Sequence, residues 1–192
     1  MDVSNTLCGI VAKGCERAYV FSFATDIREV RWSKSDTVLD VAEKMGSGGV
    51  NGHNTNAWKI PLWLMEKGLT PDRVIILSDM QAWGDSSMAG VGGNWATCDA
   101  EKKAVCDTWD KYARSSKAAG QTWLHCIHVN GYGDTIVDEG ARVNQLAGYS
   151  EKVFGMLSQT EGLAAEADEE TVALPTVEQV RKDWTVQPSV TG

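Results

Sequence analysis

The sequence is short of positive charge, proline, paired cysteines and long apolar runs, and each shortage closes off a class of protein. Lys and Arg number 18 against 26 Asp and Glu, a net charge of −8, so the averaged field repels phosphate backbones. Strong direct binding to nucleic acid is not expected. With 4 prolines and 19 glycines in 192 residues and no triplet period, collagen-like and proline-rich extended chains are excluded. The five cysteines (Cys8, Cys15, Cys98, Cys106 and Cys126) form no CxxC pair and no Cys/His cluster, which suits reduced thiols and gives no argument for zinc. The apolar stretches Arg73 to Ser78 and Thr122 to Asn130 fall well short of the roughly 20 residues a spanning helix needs, and the N-terminus carries no secretory apolar region. A cytoplasmic chain without membrane attachment is the expectation.

What is present is an ordinary globular composition, 43% hydrophobic and 23% charged, in a length that suits one domain with a sizeable core. Val3, Leu7, Ile10 and Val11 recur at helical spacing and predict a first helix over Asp2 to Glu16 with these four facing inward. Ala18 to Phe23 and the alternating Ile27 to Trp32 predict a hairpin. Ser33 and Asp36 have capping-box spacing before a second helix, striped by Val38, Leu39, Ala42 and Met45 and ended by Gly46, Gly48 and Gly49. A third helical pattern runs from Thr55 to Lys67, delayed or kinked by Pro61.

The run Val74 to Leu77 is continuous and β-branched, the pattern of a central strand buried on both faces. A polar loop then extends to Cys98, followed by a long helix over Asp99 to Ala118 with Ala104, Val105, Trp109 and Tyr112 inward. A strand over Trp123 to Val129, a short strand over Val143 to Leu146 and a packing helix over Ser150 to Ser158 complete residues 1–160. The last segment, 161–192, is acidic: Glu161, Glu166, Asp168, Glu169, Glu170, Glu178 and Asp183 face only Arg181 and Lys182, which predicts a mobile tail, with a short helix from Pro175 towards Trp184. Strands alternating with helices predict an open, mostly parallel α/β sheet of Rossmann-like type with helices on both faces, whose ligands bind beyond the carboxyl ends of the strands.

That rule singles out Asp79, directly beyond the run Val74 to Ser78, as a carboxylate facing a ligand or a hard cation; an Asx-turn at the strand exit is the structural alternative. Thr55, between a glycine-rich loop and a helix, is placed either to cap that helix or to ligate a metal beside Asp79. Gln81 and Trp83 lie close enough in sequence to line such a crevice, and His53 precedes Thr55; for Trp83 and His53, core packing and a surface position are the plainer readings. His125 and His128 are three apart in a strand and so on opposite faces, which opposes joint ligation. The Gly46 to Gly52 stretch follows a helix, not a strand, and lacks the G-K-[ST] ending of a phosphate loop.

Four segments together carry a family resemblance. DRVIILSDMQAWGD (Asp72 to Asp85), TNAWKIPLWLMEKG (Thr55 to Gly68), TWLHCIHVNGYGD (Thr122 to Asp134) and VNQLAGYSEKVFGML (Val143 to Leu157) resemble, in order and spacing, the von Willebrand factor A (vWA) domain of the Ro/TROVE ribonucleoprotein family. The resemblance spans about residues 2 to 160. It implies a metal-ion-dependent adhesion site (MIDAS) holding Mg²⁺ or another divalent cation, with Thr55 as its threonine and Asp79 as its third-loop aspartate, and a non-enzymatic recognition role linked to small structured RNAs. The partner would be a protein, or an RNA reached through a companion chain, since the helical-repeat ring of the family is absent.

The first metal loop, D-x-S-x-S in the family, has a rival in Asp2-Val3-Ser4-Asn5-Thr6. Only eleven residues separate Thr6 from Ala18, and the Val3-Leu7-Ile10-Val11 spacing makes the string part of the first helix. On that reading the domain is N-terminally truncated, without the family's first and central strand, and the protein is either completed by another chain, begun at an internal Met or a decayed remnant. A Mg²⁺-dependent hydrolase or phosphotransferase is the alternative function; the stretch after Asp79 offers it no base and no Lys or Arg.

Overall fold

The computed structural model describes residues 3–48, 54–79, 95–129, 135–148 and 151–169. By proximity the chain divides into two units, Met1–Leu157 and Ser158–Gly192. The first holds all the strands given below.

Helix α1 spans Val3–Gly14, and Ser4 and Thr6 stand in its first turns. Its buried face is only in part the expected stripe: Gly9 and Ala12 are buried and Leu7 and Val11 half-buried, whereas Val3 and Ile10 are 44% and 43% exposed. The cause is helix α2, Val38–Gly48, which approaches so closely that a Cβ on Gly9 would stand 2.6 Å from the Val38 carbonyl oxygen. A contact that tight selects the smallest residues and turns the bulky ones outward. In α2 likewise Val41 and Ala42 are buried while Leu39 is exposed. The capping box lies four residues later than the sequence spacing suggested. The Thr37 amide donates to Asp40 Oδ2 at 2.7 Å and the Asp40 amide to Thr37 Oγ1 at 3.2 Å, a reciprocal pair that satisfies two otherwise orphaned donors. Asp36 instead accepts from the Ser33 amide in the preceding turn and pairs with Lys44 at 2.5 Å.

Strands β1 (Phe21–Phe23) and β2 (Ile27–Glu29) form the expected antiparallel hairpin, shorter than its sequence pattern. One of its faces joins a small core of Ala12, Val20 and Val30 with Cys8, Trp32 and Met45. From the other, Phe23 and Ile27 reach the main core.

Helix α3 is Lys59–Lys67. Pro61 falls in its first turn, where an amide N–H has no helical partner, so proline delays the helix without breaking it. Gly68, at φ 63°, closes it in a left-handed turn with Gly68 N–H on Met65 O and Leu69 N–H on Leu64 O. The chain then enters β3 (Arg73–Ser78), which pairs in parallel with β4 (Trp123–His128), itself parallel to β5 (Val143–Ala147). The order is β3-β4-β5, and the hairpin is a separate sheet. Among the described residues β4 is thus the central strand of the three, buried at every residue, while β3 has only Ile76 fully buried. The expectation of a strand buried on both faces is met fully at Ile76 only; Val74, Ile75 and Leu77 are half-buried.

Helix α4, Trp95–Ser115, begins four residues before the expected start and lays Val105, Trp109 and Tyr112 on the sheet. With Ile60 and Leu64 of α3 they cover Val74, Ile76, Leu124 and Cys126. The Tyr112 hydroxyl is tied to Leu69 O and Thr122 Oγ1, both at 3.1 Å. Helix α5, Glu151–Glu169, buries Val153 and Leu157 and continues well past Ser158, so the acidic segment opens as helix. Residues 170–192, including Trp184, lie outside the described residues.

Candidate functional site

Thr55 lies in the segment leading into α3 and Asp79 directly follows β3; both are half-buried.

The Thr55 segment is fixed by its neighbour. Asn56, 3% exposed, donates its amide to Ala24 O at 3.0 Å and its side-chain Nδ2 to Thr25 O at 2.8 Å, pinning the segment to the hairpin turn. Lys59 Nζ adds bonds to Thr25 O at 2.8 Å and Asp26 Oδ1 at 3.0 Å. The Lys59 hydrogen bond, with a second from the Ile27 amide, holds the Asp26 carboxyl below its usual range. Asn56 Oδ1 is buried and has no hydrogen-bond partner among the described residues. A buried carbonyl oxygen left without a donor is a costly feature that a hard cation or a water would relieve. Sequence reasoning passed over Asn56; its place next to Thr55 was the available signal. At Asp79, Ser78 Oγ donates to Oδ1 at 3.4 Å.

The donor set, a Thr hydroxyl, an Asp carboxylate and a neutral amide oxygen, is oxygen-only and suits Mg²⁺ in kind. Among the described residues no group of three or more His, Cys, Asp or Glu gathers in one place. Any cation there would complete its shell largely with water. Asp2, Gln81, Trp83 and His53, and residues 49–52 of the glycine-rich loop, lie outside the described residues.

His125, His128 and Cys126 are built into the core. His125 is fully buried, stacked on Trp123 with ring centroids 5.8 Å apart, and its Nδ1 meets Asn144 Nδ2 at 3.3 Å. His128 is also buried, on the opposite face of β4. Burial pushes the Cys8 thiol up to about 11 and the Cys126 thiol up to about 12, and it raises Cys106 as well. All three stay protonated near neutrality and are poor nucleophiles.

No protein-family model matches the chain, and no curated protein matches it. Among solved structures, the crystal structure of the Ro (RSR) protein of Deinococcus radiodurans is similar with a TM-score of 0.59 at 15% identity, over 82% of this chain and 29% of that one. The chain therefore corresponds to less than a third of that protein's length. At such identity the likeness establishes architecture: this chain has the Rossmann-like α/β fold of vWA type, a parallel sheet flanked by helices, that it shares with a segment of a Ro protein.

Proposed function

We propose that the chain is a non-enzymatic vWA-type recognition domain related to Ro ribonucleoproteins, in which Thr55 and Asp79 hold a divalent cation, Mg²⁺ by donor type, that accepts an acidic group from a protein partner. The observation that carries this reading is the position of Asp79 directly beyond β3, with Thr55 in the segment that leads into α3. The orphaned Asn56 Oδ1 beside Thr55 supports it. So does the likeness to a Ro protein. With a net charge of −8, contact with RNA would be made through a companion chain.

The test is a thermal melt of the chain with and without millimolar Mg²⁺ or Mn²⁺. Binding to the folded state alone stabilises by RT ln(1 + [L]/Kd), about 2.7 kcal/mol when the cation stands at a hundredfold its Kd. The shift should vanish in Asp79→Ala and shrink in Thr55→Ala. A shift of full size in Asp79→Ala would remove the carboxylate from the site, and a shift lost in Asp2→Ala would assign the first metal loop to the Asp2 string.

A further inference from the structure

Three cation–ring pairs gather where the chain enters β1. Lys34 Nζ lies 5.5 Å from the centroid of the Trp32 ring, the Arg17 guanidinium 5.2 Å from that of Tyr19, and Lys67 Nζ 5.9 Å from that of Trp63. Direct contacts join the three. Trp32 Nε1 donates to Ala18 O at 3.2 Å, Lys34 Nζ to Cys15 O, and Arg17 Nη2 to the Tyr19 hydroxyl. The Tyr19 ring then meets Trp63 of α3 with centroids 6.2 Å apart, and Phe21 stands edge-on to the same indole at 4.4 Å. Arg17, Tyr19, Lys34 and Lys67 are exposed, while Trp32, Phe21 and Trp63 are half-buried. Such pairs occur about once in 70–80 residues, so three along one line of contacts set this surface apart.

The whole chain carries a net charge of −8, yet residues 13–34 hold five Lys and Arg against three Asp and Glu. Among the described residues Arg17 and Lys34 form no ion pair, and Lys67 reaches only Glu66, at 3.4 Å. A cation held over a ring keeps its charge and loses side-chain freedom, so less ordering remains to be done when an anion arrives. The cation also takes a ring face that a stacking nucleobase would need, so the strip suits carboxylates better than single-stranded nucleic acid. We propose that this strip docks an acidic segment of a partner protein, laid down extended with carboxylates at alternate positions. Alternate side chains of an extended chain stand about 6.5–7 Å apart, close to the 6.2 Å between the Tyr19 and Trp63 rings. The carboxylates pair with Arg17, Lys34 and Lys67, and their methylene stems cover the exposed parts of the rings. The strip shares no residue with the cation site at Thr55 and Asp79, so the two stand or fall separately.

The probe is a fluorescent ten-residue peptide of alternating glutamate and valine, titrated against the full chain in EDTA, which removes binding through a divalent cation. A copy with glutamine for glutamate is the control. Saturable binding of the glutamate peptide is expected, with the glutamine copy weaker by roughly tenfold or more, the combined effect of three exposed ion pairs. Exchanging Arg17→Gln, Lys34→Gln and Lys67→Gln together should weaken the glutamate peptide by a similar factor. The same number of exchanges among exposed cations of α4, Lys103→Gln, Lys111→Gln and Arg114→Gln, should leave its affinity within about twofold. Should the first triple variant unfold, the glutamine copy and the α4 variant decide. No saturable binding, equal affinity for both peptides, full affinity in the first triple variant or an equal loss in the α4 variant would each overturn the proposal. So would tighter binding of a ten-nucleotide single strand that the first triple variant loses, because the strip would then serve nucleic acid.

Discussion

Gly9 shows how one residue sets the packing of two helices. It sits where α1 and α2 touch, and the contact is to backbone, the Val38 carbonyl, which cannot rotate away as a side chain can. Gly9→Ala should therefore destabilise by about 1–3 kcal/mol despite alanine's better helix propensity, read as a lower urea midpoint. An unchanged or raised midpoint would show that the helices can part at little cost. Cys126 makes a second residue-scale prediction, with its sign set by burial. Its folded value is raised from 9.0 to about 12, so the folded state keeps a proton that the unfolded chain gives up. Stability is then fully present below pH 9 and is lost as pH rises from there towards 12, at up to about 1.4 kcal/mol per pH unit. Cys126→Ala should flatten that alkaline loss, and an unaltered slope would assign it to other groups.

Among the elements, α2 and β3 teach different lessons. The start of α2 rests on the Thr37–Asp40 pair, and both the Ser33–Asp36 and Thr37–Asp40 spacings stand in the sequence. Only the backbone path selects the second, because Asp36 is drawn off into its own turn by the Ser33 amide and Lys44. Thr37→Ala should cost about 1 kcal/mol in thermal or urea unfolding, whereas Ser33→Ala should cost far less. The reverse order would restore the earlier box. Bonds from Lys44 and the Ser33 amide hold the Asp36 carboxyl below its usual range, and those from Thr37 do the same for Asp40. Their contribution is present above the ordinary carboxylate value and is lost as pH falls through the depressed folded one. Strand β3 was recognisable as a strand from Val74 to Leu77, but its place was not. Strand order depends on which edges meet, and that information is spread over β3, β4 and β5, which lie far apart along the chain.

At the level of the whole molecule, the hairpin and the three-stranded sheet share one core but, among the described residues, no hydrogen-bonded strand. Tyr112 is the cross-brace of that core, joining α4 to the turn before β3 and to Thr122 before β4. Burial pushes its phenol upward, so the hydroxyl remains a donor and acceptor at neutral pH. Tyr112→Phe should lower the urea midpoint by the equivalent of about 1–2 kcal/mol without changing the slope. A changed slope would mean that the two sheets unfold separately.

The sequence by itself determined the helices, the hairpin, the parallel α/β class and the position of Asp79 at a strand's carboxyl end, because periodicity, caps and turn residues act over a few positions. It also placed Thr55 before a helix, though not beside the orphaned oxygen of Asn56, which exists only once the hairpin turn has claimed that side chain's Nδ2. Tertiary structure alone decided which face of α1 is inside and which of the described strands lies in the middle of the sheet. Those outcomes rest on contacts between residues distant along the chain, such as Gly9 with Val38 and Asn56 with Thr25, whose distances no local pattern encodes.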